Sequence, residues 1–248
     1  MNWRFTTTLA IICIGFTFLA QEAAAGQGSP QRRGHETNNR MQTGGSRDLN
    51  NPVQTSSSLD FNEETHLVFL REEEKLARDV YTTLGMMYPD SVTFGRIDDS
   101  EQRHTEMVRD MLANYAVTDP STNDNTGIFT GEAYGAYFQE KYDALIAQGA
   151  SGELSALYVG ALIEELDMLD IRHCPSVVLS QDNGIDTEEQ CGLVYTDKQD
   201  VQRLYESLLR ASANHLRGYV MAIEAIIGEG AYVPQLLDSA TYYEIVQR

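Results

Sequence analysis

An all-α protein is predicted by three features of this 248-residue sequence. Apolar residues recur at spacings of three and four along several long segments, the repeat of a helix face turned to a core. Nowhere do Val, Ile and Thr alternate with polar residues over a strand-length run, as a half-buried strand requires. Pro89 and Pro175 fall just beyond two of the periodic segments, where they act as helix stops.

Two segments of different character precede the first helix. Residues 1–25 have the layout of a signal peptide: Arg4 and the α-amino group are positive, residues 9–20 are apolar, and Ala23-Ala24-Ala25 fits a small-residue cleavage site. That apolar run falls short of the roughly 20 residues needed to span a bilayer, and no later segment exceeds it. The reading is a cleaved leader, with an uncleaved anchor as the alternative, and a secreted or periplasmic mature protein with no membrane span. Residues 26–60 are rich in Gly, Ser, Asn, Gln and Arg. With almost no aliphatic side chains, they cannot offset their ordering entropy and read as a disordered polar tether. Residues 61–248 are assigned to one globular domain.

Within it the first long helix follows Asn62, read as the N-cap ahead of Glu63 and Glu64, and runs to about Met87. The second covers about 94–115. An Asp-, Asn- and Gly-rich connection at 118–131, which does not match the EF-hand spacing of a calcium loop, leads to a shorter amphipathic piece at about 134–147. A third long helix follows at about 151–172 and a fourth at about 197–227. A short C-terminal helix follows Pro234.

The formal net charge is −19, from 37 acidic and 18 basic side chains, and residues 61–248 hold 33 of the acids and 13 of the bases. Such a domain repels nucleic acid and anionic membranes, which excludes both as natural partners. With 3 Cys and 5 His in the chain, disulfide-dense scaffolds and zinc-ribbon arrays are excluded as well.

The core-facing stripe of each long helix carries an ionisable residue near its middle. The first runs Leu67, Leu70, Glu74, Ala77, Tyr81, Leu84; the second Ile97, Glu101, His104, Val108, Met111, Tyr115. The third runs Leu157, Ala161, Glu164, Asp167, Ile171, and the fourth Leu204, Leu208, Ser212, His215, Tyr219, Ala222. A carboxylate in a core must be protonated, paired or bound to a cation. No Lys lies on any stripe, and Arg71 and Arg217 fall just off them. Four carboxylates (Glu74, Glu101, Glu164, Asp167) and two imidazoles (His104, His215) would be satisfied as a set by two divalent cations. Hard oxygen donors with few imidazoles favour iron or manganese.

These pieces resemble the ferritin-like di-iron carboxylate superfamily, rubrerythrin-type domains in particular. The matching residues are Glu74-x-x-Ala77-x-x-x-Tyr81, Glu101-x-x-His104, Glu164-x-x-Asp167 and His215 followed by Tyr219. The phrases REEEKLARDVY, SEQRH, GALIEELDMLDI and SANHLRGY are more specifically similar to an exported ferritin-like family of unknown function, DUF2202. The resemblance implies a ferritin-like four-helix bundle with a crossover of about 35 residues between the second and third long helices and a short C-terminal helix. It implies two metal ions, iron before manganese, held by those six residues, and ferrous-ion oxidation or peroxide reduction with a small oxidant as partner. Self-association into a homo-oligomer stays open. The superfamily repeats Glu-x-x-His on its last helix, where this chain has Ser212-x-x-His215; Asp167 is the residue placed to supply the missing ligand. Ser212 also keeps an alternative in play: a non-catalytic acidic helical module with one metal or none.

Neighbouring residues are assigned blander roles. Glu72, Glu73 and Glu165 read as solvated faces, and Glu63-x-x-His66 reads as an exposed cap region. Asp170 is read either as a hydrogen-bond partner of a ligand His or as an exposed helix-end acid. Tyr81 and Tyr219 are core aromatics or hydrogen-bond donors to the ligands. Cys174 and Cys191, left after leader removal, are most simply a disulfide pinning the third long helix to the fourth. No Cys₄ redox module exists, so any electron donor is a separate molecule.

Overall fold

Helix α1 (Phe61–Met87) begins earlier than predicted because Asp60, not Asn62, caps it. Asp60 Oδ1 accepts from the Glu63 N–H at 2.9 Å and Glu63 Oε2 accepts from the Asp60 N–H at 3.0 Å, a reciprocal capping box. The Asn62 side chain donates instead to Gln190 O. The computed structural model describes residues 58–246; the predicted leader and nearly all of the predicted tether lie outside them. The elements that follow are α2 (Val92–Asn114), α3 (Gly135–Gly149), α4 (Glu153–Asp170), α5 (Ser176–Leu179), α6 (Gln199–Ile227) and α7 (Ser239–Val246). A 3₁₀ turn at Glu188–Gln190 and α5, neither predicted, lie between Cys174 and Cys191. The described residues contain no strand, so the all-α class holds.

The four long helices close a ring: α1 packs on α2, α2 on α6, α6 on α4 and α4 on α1. Paired residues give the directions. Arg71 meets Thr105 and Gly85 meets Phe94, so α1 and α2 run antiparallel. Glu164 meets His215 and Gly160 meets Tyr219, so α4 and α6 do too. Across the diagonal His66 meets Tyr205 and Tyr81 meets Tyr219, so α1 and α6 run parallel. Gly160 is required here, because the Tyr219 ring fills the space a Cβ would take. The α2-to-α4 connection contains α3, which packs on α1 and α4.

The acid-rich loop before α3 is pinned to α1 by ion pairs. Arg71 holds Asp119 at 3.1 Å and Arg78 holds Asp124 at 2.8 Å. Buried Asp79 accepts from Lys75, from Arg78 and from the Gly127 N–H. Those carboxylates are paired with the cationic side chains of Arg71, Lys75 and Arg78.

That loop, with α2, α3 and α4, encloses α1 on almost every side, which corrects several surface assignments. Glu72, Glu73 and Glu165 are buried, as are Glu63 and His66. Glu165 accepts from the N–H groups of Gln235, Leu236 and Leu237 and from Tyr232 OH, fastening the chain between α6 and α7 to α4. Cys174 and Cys191 stand at disulfide distance, with Cα atoms 4.9 Å apart.

Candidate metal centre

The mid-helix ionisable residues converge inside the ring as two triads that share one carboxylate. Glu74, Glu101 and His104 form the first, and Glu101, Glu164 and His215 the second; the donor atoms of each lie within 4.8 Å of one another. His104 Nδ1 is 2.9 Å from Glu101 Oε2 and 3.6 Å from Glu74 Oε2. His215 Nδ1 is 2.7 Å from Glu101 Oε1 and 3.4 Å from Glu164 Oε1. The two oxygens of Glu101 thus face different imidazoles, whose rings stack 5.6 Å apart.

The contact between His215 and Glu101 has a second property. Both atoms are buried and close, yet neither has a hydrogen bond, because the ring N–H is not aligned with the oxygen. Atoms that converge without pointing at each other suit a common cation better than a shared proton. Around the rim, Tyr81 OH donates to Glu164 Oε1 at 2.7 Å, and Ser100 Oγ lies 3.3 Å from His104 Nε2. Tyr81 and Phe94 pack on the Tyr219 ring as an apolar wall.

Asp167, the sixth predicted residue, belongs to neither triad. It is buried, its Oδ1 has no hydrogen-bond partner, and the charges around it are Glu73, Glu164, Glu74 and Glu101. The α4/α6 pairing of Glu164 with His215 and Gly160 with Tyr219, continued by one turn, sets Asp167 opposite Ser212. Ser212 Oγ donates to Leu208 O within its own helix. A small, self-satisfied residue therefore faces an unsatisfied acid.

Burial is the largest influence on every ionisable group here. It raises Glu74 to about 8, with Glu101 and Glu164 adding and His104 opposing. It likewise raises Glu164 and, further, Asp167. On Glu101 burial is outweighed by the hydrogen bond with His104 and by the charges of His104 and His215, which hold it at about 2. On His215 burial is outweighed by Glu164 and Glu101, which raise it to about 10; His104 is raised by Glu101 and Glu74 in the same way. Apart from Glu101, kept ionised between its two imidazoles, each group favours added positive charge, whether from protons or from a metal ion in their place.

His66 and Glu73, read as surface, are buried and make contacts within the core. His66 Nε2 donates to Asp170 O at 2.8 Å and Nδ1 accepts from Tyr205 OH at 2.7 Å, and burial lowers its pKa to about 4. This neutral His ties α1 to the end of α4 and to α6. Asp170 fits neither assigned role: its carboxyl hydrogen-bonds Glu73, and burial raises both acids. Glu73 was discoverable only from its neighbours in space, since on the helical repeat it falls off the stripe.

Residues 63–248 match the family described as an uncharacterized protein domain (DUF2202). An uncharacterized protein of Methanocaldococcus jannaschii, MJ0754, is 34% identical over 184 residues, which is 74% of this chain and 86% of that protein. A crystal structure of hypothetical protein MJ0754 from Methanococcus jannaschii superposes with a TM-score of 0.62 at 33% identity, covering 77% of this chain and 95% of that one.

Proposed function

The chain belongs to the DUF2202 family, and on the geometry of its buried cluster we propose a ferritin-like four-helix bundle that holds a dinuclear centre, iron in preference to manganese. The carrying observation is the pair of triads that share Glu101. The ring topology supports it. Parallel α1 and α6 with a long crossover from α2 to α4 is the arrangement of bundles with one long connection.

Glu101 would bridge the two ions, His104 and Glu74 would hold one, and His215 and Glu164 the other. Asp167 is placed to complete the set from the side that Ser212 leaves open. When bound, such a centre supplies one-electron redox chemistry and Lewis acidity for ferrous-ion oxidation or peroxide reduction. The chain itself contributes orientation and dryness. Tyr81 fixes the Glu164 carboxylate through its hydroxyl, and the Tyr81–Phe94–Tyr219 wall keeps bulk water from that end of the cluster. Export through the predicted leader would place this chemistry outside the cytoplasm.

Metal analysis of chelator-stripped protein reloaded anaerobically with Fe²⁺ tests the reading. The expected uptake is two ions per chain, with absorbance changes on admitting O₂. Glu101→Ala should lose both ions, whereas Glu74→Ala and Glu164→Ala should each lose one. Uptake of one ion or none by the unaltered chain would favour the non-catalytic module, and full uptake by Glu101→Ala would refute the shared-ligand assignment.

A further inference from the structure

In a domain with 33 acidic and 13 basic side chains, several arginines gathered in one cavity reverse the overall charge locally. Arg71, Arg78 and Arg109 each pair with an Asp, at 3.1, 2.8 and 3.0 Å. Arg103 and Arg203 form no ion pair among the described residues, and three further unpaired arginines lie together. Arg172, just beyond α4, and Arg210 and Arg217 on α6 line one cavity of about 390 Å³, shared with Asn214 and with Thr241 and Glu244 of α7. None of the three forms an ion pair among the described residues, Glu244 included. Arg217 is held in place: its Nε donates to Ile245 O at 2.6 Å and its Nη1 to Asn214 Oδ1 at 2.5 Å. That leaves part of its five-donor fork unused. None of the triad residues lines this cavity.

We propose that this cavity binds a small polyanion carrying phosphate or carboxylate groups. Planar guanidinium groups match both oxyanion geometries through paired N–H donors. The volume sits near the lower end of ligand pockets, about 300–1,000 Å³, a size for a molecule such as pyrophosphate or citrate. Leu209 and Ile245 supply apolar lining, which strengthens charge-assisted hydrogen bonds by excluding water. The domain's excess of negative charge disfavours anions in general, so three arginines that line one cavity without forming an ion pair mark it out.

Calorimetric titration of the full-length protein with pyrophosphate and, separately, with citrate at fixed ionic strength tests the proposal. Saturable binding of at least one, with Kd of about 10–100 µM, is expected. Arg172→Gln and Arg210→Gln should each weaken it about tenfold, about 1.4 kcal/mol. Neither side chain holds a hydrogen bond or ion pair among the described residues, so both variants should fold. Arg109→Gln, the same charge change at the Arg109–Asp110 pair, which does not line this cavity, should leave binding unchanged. Pyrophosphate binding alone identifies a phosphate ligand, citrate binding alone a carboxylate ligand, and equal affinity recognition of either oxyanion. Absence of saturable binding of both at about 10 mM, or equal weakening by Arg109→Gln, overturns it. The outcome is independent of whether the buried triads bind metal.

Discussion

Glu72 shows how a single side chain can be both buried and poorly satisfied. Its oxygens lie against the Gly131 backbone without a hydrogen bond of good geometry. Burial raises its pKa to about 7, and the Gly131 N–H and the charges of Arg71 and Lys75 only partly oppose this. A raised carboxyl pKa favours the folded state fully below the unfolded value, about 4.5, and that advantage is lost as pH rises through about 7. Glu72→Gln mimics the protonated form. It should therefore leave stability nearly unchanged near pH 4 and raise it at pH 8 by on the order of 2 kcal/mol, read from urea unfolding at the two pH values. Equal effects at both would show that Glu72 is not the titrating group. The same residue marks a limit of reading sequence. On the repeat of α1 it falls off the core stripe, and only the loop folded over that face buries it.

At the scale of elements, the long helices were legible because burial on one side imposes a period of three and four. Met87 and Ile227 end α1 and α6 where the pattern places them, with Pro89 just beyond the first. What lacked such a period was not legible. α5 and the 3₁₀ turn exist through local hydrogen bonds inside the loop between Cys174 and Cys191, and Asp60 displaces Asn62 as cap through its reciprocal bond with Glu63. The fastening of the C-terminal segment was hidden for another reason: Glu165 collects three backbone N–H groups and the Tyr232 hydroxyl from residues about seventy positions away. A carboxylate so enclosed holds its partners by charge-assisted bonds. Glu165→Gln should cost about 2 kcal/mol and release that segment. Hydrogen-exchange mass spectrometry should find faster exchange at residues 232–246 with α1 and α2 unchanged. Uniformly faster exchange across the chain would mean that Glu165 supports the whole fold and not the segment.

The molecule as a whole encloses more negative charge than its buried cations can answer. Lys75, Arg71 and Arg78 are buried but committed to Asp79, Asp119 and Asp124 on the loop side of α1, leaving Glu74, Glu101, Glu164 and Asp167 to two imidazoles. This concentration was readable in the sequence as four interrupted stripes. Which carboxylate is shared was not, because that depends on the helix pairing that turns the two oxygens of Glu101 toward different rings. The imbalance has a global consequence for stability. Glu74, raised to about 8, favours folding below its unfolded value of about 4.5 and loses that advantage as pH rises through about 8; Glu164 and Asp167 act in the same direction. Glu101, held at about 2, contributes at any pH above 4.5 and loses its contribution only as pH falls through about 2. His215 contributes below about 6.5 and loses that contribution as pH rises through about 10. Metal-free protein should therefore lose stability between pH 5.5 and pH 8. A bound cation needs the same carboxylates ionised, so its stabilisation grows over that interval. Thermal unfolding with a chelator and with excess Mn²⁺, at both pH values, should show a metal-dependent rise in Tm that is about 5 °C or more larger at pH 8. A rise of the same size at both values would mean that any bound metal sits away from these acids, and Glu101→Ala, which removes the shared ligand, should abolish the difference.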